Sequence, residues 1–343
     1  MSVLSLRRRV APAVLAVTAL LLAACSGGTE QAVQDGAGPV EAESGALPVT
    51  LDHRFGSTTV DDAPERVVSV GYTDQDALLA LGVTPVATTR WFSDYPGAVG
   101  PWARDALGGA DDPVVLDDTN GIQFERIAEL RPDLIVGLYS DLTREEYDTL
   151  SEIAPTVAPP PGLPDYGMPW RDLTTTIGRA VGKPDEARRV VADVDDHLAS
   201  IRAEHPEFEG ATALIATLYE GYFLYGGNDP RSVLLTDLGL RLPDRLGELV
   251  GDQFGASVSR ERADVLDTDV LLWLLDDDGE ALRKDTLYST LPVAKQKREV
   301  MIDNSSDFGT AFSQASVLSV PYIVDDLVPR LSAALDGDPA TTG

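Results

Sequence analysis

The stretch Gln123-Phe124-Glu125-Arg126-Ile127-Ala128-Glu129-Leu130-Arg131-Pro132-Asp133-Leu134-Ile135-Val136-Gly137 decides the fold class. Its first half has helical spacing. The residue before proline disfavours the helical region of the backbone, so Arg131-Pro132 ends the helix. The run Leu134-Ile135-Val136 is apolar on every residue, as a strand covered on both faces must be. Working outward, the same alternation recurs. Val67–Val70 is a strand, Asp74–Leu81 a helix stopped by Gly82, and Thr84–Thr88 and Asp112–Leu116 two more strands. Arg144–Ile153 is an amphipathic helix and Thr156–Ala158 a short strand. Strands alternating with helices imply a parallel sheet between two helical layers.

After a proline-rich loop, Pro159 to Pro169, comes the longest helical pattern in the chain. It spans Trp170 to Val181 and Asp185 to about Glu204, with Gly182 and Pro184 bending or breaking it. The alternation then restarts. Ala211–Leu218, Phe223–Tyr225, Val270–Leu275 and Glu299–Ile302 are strands; Arg231–Leu238 and Gln314–Leu335 are helices. The fold class is therefore α/β: two three-layer lobes with mainly parallel sheets, joined by a single long helix, with a ligand cleft between the lobes. The boundaries are 47–165 for the first lobe, 166–205 for the linking helix and 206–337 for the second lobe. About 290 residues are too many for one small core and suit two.

The beginning of the chain carries a different signal. Arg7-Arg8-Arg9 precedes a small and apolar run, Val10 to Leu22, closing on Leu22-Ala23-Ala24-Cys25. A basic start, a short apolar segment and small residues at its end mark a secretory signal, here 1–24. Cys25 after Leu-Ala-Ala resembles the bacterial lipobox, in which that cysteine is lipidated and becomes the first residue. It is the only cysteine, so no intrachain disulfide can form. Residues 25–46, poor in large apolar side chains, read as a lipidated N-terminus and flexible tether. The expected place is the outer face of the cytoplasmic membrane.

With 27 Lys and Arg against 56 Asp and Glu, the formal net charge is −29. That balance argues against nucleic-acid binding. There is no Gly-x-Ser-x-Gly elbow, no phosphate-binding Walker loop and no Gly-x-Gly-x-x-Gly after a strand, so no enzyme is expected. The three histidines, His53, His197 and His205, are too few and lie outside the strand-end loops, so no metal site is expected.

Ligands of open α/β sheets sit beyond the carboxyl ends of the strands. Aromatic residues are scarce, at 6%, yet they gather there: Trp91 and Tyr95 after the second strand, Tyr139 after the Leu134 strand, Tyr166 in the loop before the linking helix, and Tyr225 in the second lobe. Trp273, inside an apolar run, can serve either the core or the ligand.

The order of short patterns resembles the iron-siderophore and vitamin B12 class of periplasmic binding proteins. They are Ala63-Pro64-Glu65-Arg66-Val67-Val68-Ser69, then Asp76-Ala77-Leu78-Leu79-Ala80-Leu81-Gly82-Val83-Thr84-Pro85-Val86, then Leu130-Arg131-Pro132-Asp133-Leu134-Ile135-Val136, then Ile153-Ala154-Pro155-Thr156-Val157, and finally Val258-Ser259-Arg260-Glu261-Arg262-Ala263 before Leu266-Asp267-Thr268-Asp269-Val270-Leu271. The resemblance covers about residues 60–336. It implies a monomeric substrate-binding component of an ABC importer, with a permease and its ATPase as partners, no cofactor, and an iron(III)–siderophore complex as cargo. Haem or cobalamin is the alternative cargo. It places Arg90 where an arginine donates to the chelate, with Arg231 a second donor, and adds Phe254 and Phe308 to the ligand contacts. Arginine suits this task because its planar fork donates bidentately and keeps its charge. It also matches Glu125 and Glu261 to the pair of exposed glutamates, one per lobe, that dock on permease arginines. The plainer alternatives are a surface Arg90 paired with Asp94, and glutamates that complement helix dipoles.

Overall fold

The computed structural model describes residues 41–91, 93–276, 279–338, 340 and 341. Cys25 and the signal segment lie outside the described residues. The chain opens with a hairpin of β1 (Val49–His53) and β2 (Gly56–Val60). The first lobe follows with β3 (Val67–Ser69), α1 (Asp74–Ala80), β4 (Ala87–Thr89), β5 (Val114–Leu116), α2 (Phe124–Glu129), β6 (Leu134–Val136), α3 (Arg144–Ile153) and β7 (Thr156–Val157). Helices α4 (Trp170–Ala180) and α5 (Pro184–Glu204) come next. The second lobe holds β8 (Ala213–Leu218), β9 (Tyr222–Tyr225), α6 (Pro230–Asp237), α7 (Asp244–Val250), β10 (Gly255–Val258), β11 (Val270–Leu275), α8 (Glu280–Arg283), α9 (Pro292–Lys295), β12 (Glu299–Asp303), α10 (Asp307–Gln314) and α11 (Ser319–Leu335).

The first sheet has the order β5-β4-β3-β6-β7 and is parallel throughout. The second, β10-β9-β8-β11-β12, is mixed. Its β8, β11 and β12 are parallel, while β9 pairs antiparallel with both β8 and β10. The mainly parallel expectation thus holds fully for the first sheet and for half of the second. The antiparallel pair arises because only Tyr219-Glu220-Gly221 separates β8 from β9. A connection that short can only turn back, whereas a parallel crossover needs a dozen residues or more.

Strand alternation divides the apolar residues between layers. In the first lobe Val67, Leu134 and Val136 face one layer, Val68 and Ile135 the other. In the second, Ile215, Leu272 and Leu274 face one layer, Leu214, Leu271 and Trp273 the other. One apolar cluster runs on continuously between the lobes, joining Leu78, Leu134 and Trp170 to Ile215, Leu272 and Leu331.

Local chemistry explains the boundaries. Helix α3 begins at a capping box. The Thr143 hydroxyl accepts from the Glu146 amide at 3.3 Å, and the Glu146 carboxylate accepts from the Thr143 amide at 2.9 Å. Pro184 does not interrupt α5 but starts it, where a missing N–H costs nothing. The carboxylate of Glu43 caps the same helix, accepting from the amides of Asp185 and Glu186 at 2.8 Å each. Residues 43–46 therefore dock on the domain and are not tether. The expected closing helix Gln314–Leu335 is two helices. Ala315 adopts a left-handed conformation (φ 43°, ψ 47°). Ser316 and Ser319 then cap each other through reciprocal amide-to-hydroxyl bonds of 2.8 and 3.0 Å. The second strand also lies later than expected, at Ala87–Thr89, after Pro85.

Candidate ligand site

The first lobe builds an aromatic platform from three loops at the carboxyl ends of its strands. Tyr72 follows β3, Trp91 follows β4 and Tyr139 follows β6. Tyr166 arrives from the loop before α4. Trp91 stacks on Tyr72 with centroids 5.3 Å apart and planes 8° from parallel. Tyr166 stacks on the same ring at 5.7 Å and 13°. Tyr139 lies tilted beneath both, 5.8 Å from Trp91 and 5.8 Å from Tyr166. Tyr72, Trp91 and Tyr166 are half-buried, whereas Tyr139 is only 3% exposed.

The platform is held from below. Asp74 at the start of α1 is fully buried, and its carboxylate accepts from the amides of Leu138 and Tyr139 at 2.6 and 3.0 Å. Burial pushes its pKa up to about 6, against the pull of those two amides. A Cβ on Gly71 would meet the same carboxylate at 2.6 Å, so glycine is required there. Tyr166 takes a left-handed backbone (φ 55°), uncommon for a residue with a side chain. Its amide donates to the Ser140 carbonyl at 3.4 Å. The Tyr72 hydroxyl donates to Asp118 at 2.6 Å. Burial, then the carboxylates Asp118 and Asp141, raise the phenol pKa values of Tyr72 and Tyr166.

The second lobe contributes a charged floor. Arg231, the second residue of α6, is 6% exposed and forks onto Asp229, Nε to Oδ1 at 2.8 Å and Nη2 to Oδ2 at 2.7 Å. Asp229 also caps α6 by accepting from the Arg231 amide at 2.9 Å. The guanidinium lies over the Tyr225 ring at 3.9 Å. Phe254 meets the Tyr225 ring edge-on at 5.7 Å. Tyr139 of the first lobe and Tyr225 pack in the same continuous apolar cluster, so the platform and the floor belong to one site. Burial raises the Tyr139 phenol pKa, Asp229 raises it further, and Arg231 pulls it down.

Of the sequence-predicted ligand residues, Trp91, Tyr139, Tyr166, Tyr225, Arg231 and Phe254 come together here. Tyr72, at the centre of the stack, and Asp229 were missed. Tyr72 carried the same signal as the others, an aromatic just past a strand. Arg90 stands at the rim, half-exposed, with Nη1 3.0 Å from Asp94 and 3.9 Å from Asp117. Its pairing with Asp94 is the plainer alternative, realised. Tyr95 instead spans the lobes, its hydroxyl donating to Asp307 at 2.7 Å, beside a Ser93–Thr310 contact of 3.2 Å. Phe308 is 9% exposed and packs between Phe312 and Arg330.

Trp273 requires correction. Side-chain alternation along β11 points it to the face opposite Leu272 and Leu274, away from the aromatic site. It is fully buried there, and its indole N–H donates to the Tyr288 hydroxyl at 2.8 Å. It is a core residue. Glu125 and Glu261 are both exposed, Glu125 in the first turn of α2 and Glu261 in the first turn of a short 3₁₀ helix, Arg260–Leu266. The Ser259 hydroxyl holds the Glu261 carboxyl below its usual range. Among the described residues, no three His, Cys, Asp or Glu side chains converge as a metal site.

The model of the periplasmic binding proteins matches residues 67–305, which include both sheets and most of the site. The chain belongs to the periplasmic binding protein family. Among solved structures, a periplasmic solute binding protein from Mycobacterium smegmatis is 40% identical, with TM-score 0.74 over 84% of this chain and 98% of that one. PiaA from Streptococcus pneumoniae, solved in complex with ferrichrome, is 29% identical, with TM-score 0.77 over 84% and 99%. A curated relative, YfiY of Bacillus subtilis, named a probable siderophore-binding lipoprotein, is 27% identical over 81% of this chain and 86% of its own length. Each of these relatives is named for binding a solute. No helix among the described residues is long and apolar enough to cross a membrane.

Proposed function

We propose that this protein is the substrate-binding component of an ABC importer, and that it captures an iron(III)–siderophore complex outside the cytoplasmic membrane. The observation that carries this reading is the aromatic platform of Tyr72, Trp91, Tyr139 and Tyr166 facing Tyr225 and Arg231. A ferric chelate is a bulky, partly apolar shell whose iron is already coordinated. It needs flat apolar walls and a few hydrogen-bond donors, and no protein ligand to the metal. The siderophore-binding names among its relatives support the same cargo. Haem held by a tyrosinate fits less well, because burial and Asp229 both disfavour the phenolate of Tyr139.

The finer parts of the reading are proposals too. Cys25 carries the lipid anchor, and the protein works as a monomer. The lobes, 47–165 and 206–337, close only slightly on the cargo, because their apolar cores are continuous and α5 is an unbroken 21-residue helix. Glu125 and Glu261 dock on arginines of the permease, whose ATPase drives release. Charge reversal at both glutamates is expected to abolish uptake while leaving cargo affinity unchanged; a loss of affinity would remove the docking role.

Native mass spectrometry and equilibrium dialysis against ferric hydroxamates, ferric catecholates, ferric citrate, haemin and cobalamin test the main reading. One ferric chelate is expected to bind in a one-to-one complex. Retention of haemin or cobalamin alone would replace the cargo.

A further inference from the structure

The charges around the site select among ferric chelates. Resting on the siderophore reading above, we infer that the cargo is a ferric chelate of zero or positive net charge, of the trihydroxamate class, and that polyanionic tris-catecholate and citrate chelates are rejected. Three hydroxamates lose one proton each and balance the ferric ion. Three catecholates lose two each and leave the complex three charges negative.

The two guanidinium groups of the site are already neutralised by carboxylates. Arg231 is fully buried and bidentate on Asp229. Arg90 is flanked by Asp94 at 3.0 Å and Asp117 at 3.9 Å. Two of the three platform phenols feel carboxylates as well. Tyr72 donates to Asp118 at 2.6 Å, and the Asp141 carboxylate raises the Tyr166 phenol pKa. These acids are not a scatter from an acid-rich surface, because Asp229, Asp94 and Asp118 pair directly with a guanidinium or a phenol of the site, and Asp117 and Asp141 act on the same groups. With five carboxylates against two guanidinium groups, the site is net negative.

Apart from the rim guanidinium of Arg90, which keeps Asp94 and Asp117 beside it, what remains for the cargo is neutral. Tyr139 is nearly enclosed at the junction of platform and floor, 3% exposed, and among the described residues its hydroxyl has no protein hydrogen-bond partner. The hydroxyl is therefore free to donate to a ligand. It offers one neutral donor to a hydroxamate oxygen and supplies no cation to offset a polyanion. The flat Tyr72–Trp91–Tyr166 stack suits an apolar shell, and its negative ring faces attract a cationic tail.

The test uses three ferric probes on the full-length chain in detergent. They are a linear trihydroxamate with a free ammonium tail, the same molecule N-acetylated, and a tris-catecholate. Trihydroxamates are expected to bind at least about a hundred-fold more tightly than the tris-catecholate at low ionic strength, with the ammonium form the tighter of the two. That preference should shrink between about 0.05 and 0.5 M salt, as screening shortens the reach of the carboxylates. The double variant Asp118→Asn, Asp141→Asn removes both charges and keeps an acceptor for Tyr72. It should move the trihydroxamate-to-catecholate ratio about ten-fold toward the catecholate. Equal or tighter tris-catecholate binding, or a ratio unmoved in the double variant, would overturn the charge selection while leaving the siderophore reading intact. Binding of haemin or cobalamin and of no ferric chelate would overturn both.

Discussion

The two lobes hold their arginines in opposite ways. Arg231 in the second lobe is buried, forked onto one carboxylate and pressed on a tyrosine ring. Arg90 in the first lobe keeps 40% of its side chain exposed, beside carboxylates that are themselves 88% and 49% exposed. A buried charge cannot leave its partner without meeting the full desolvation cost, so folding fixes the Arg231–Asp229 pair. An exposed pair is worth little, so Arg90 can exchange Asp94 for a cargo oxygen almost without penalty. The second lobe thus supplies a preset floor, and the first lobe supplies a rim free to adjust.

Breaking the buried member should have the largest effect. Asp229→Ala leaves a buried guanidinium unpaired and removes the cap of α6, and should cost about 3–5 kcal/mol of stability in chemical denaturation. A loss below about 1 kcal/mol would mean that Arg231 reaches water and that the floor is not preset.

Asp76 is the first lobe's buried counterpart. It accepts from the Trp102 indole N–H at 2.8 Å and from the Ser316 hydroxyl of the second lobe. Burial raises its pKa from 3.8 to about 6, against those two bonds. A carboxyl whose folded pKa lies above its unfolded value holds its proton more tightly in the native state. It therefore favours folding below about pH 4, and that contribution is lost as the pH rises through about 6. Melting curves of the wild type and Asp76→Asn should converge at neutral pH relative to a wild-type advantage in acid. Parallel pH profiles would show that Asp76 does not titrate there.

The remaining changes sharpen the contrast at the level of binding. Tyr139→Phe removes a hydroxyl with no protein partner among the described residues, so cargo affinity should fall about five- to ten-fold with stability kept, read by calorimetry. Arg90→Ala should alter stability by less than about 0.5 kcal/mol, while weakening cargo binding several-fold. A stability loss as large as that of Asp229→Ala would erase the distinction between rim and floor.

Much of this was legible in the sequence, for identifiable reasons. Arg144–Ile153 and Val270–Leu275 fall at their expected limits because a capping box opens one and six consecutive buried apolar residues make the other. The hairpin at 49–60 went unread because its buried positions include His53 and Thr58, whose polarity hides the alternation. His53 and Thr58 satisfy each other at 3.0 Å inside the fold, a pairing no local pattern announces. The break at Ala315 carries no glycine or proline. Its cause is a serine pair and a bond to Asp76 from far away in the chain. Trp273 shows the same limit in the site: an apolar strand says that a tryptophan is buried, but not on which face.

The most direct measurement is a fluorescence-quenching titration with a ferric trihydroxamate on the wild type, Trp91→Ala and Trp273→Phe. If the cargo lies on the Tyr72–Trp91–Tyr166 stack, Trp91→Ala should weaken binding about ten-fold or more, the equivalent of about 1.4 kcal/mol, and Trp273→Phe should leave the affinity unchanged. Unchanged affinity in Trp91→Ala, with a loss in Trp273→Phe, would place the cargo elsewhere and contradict the site.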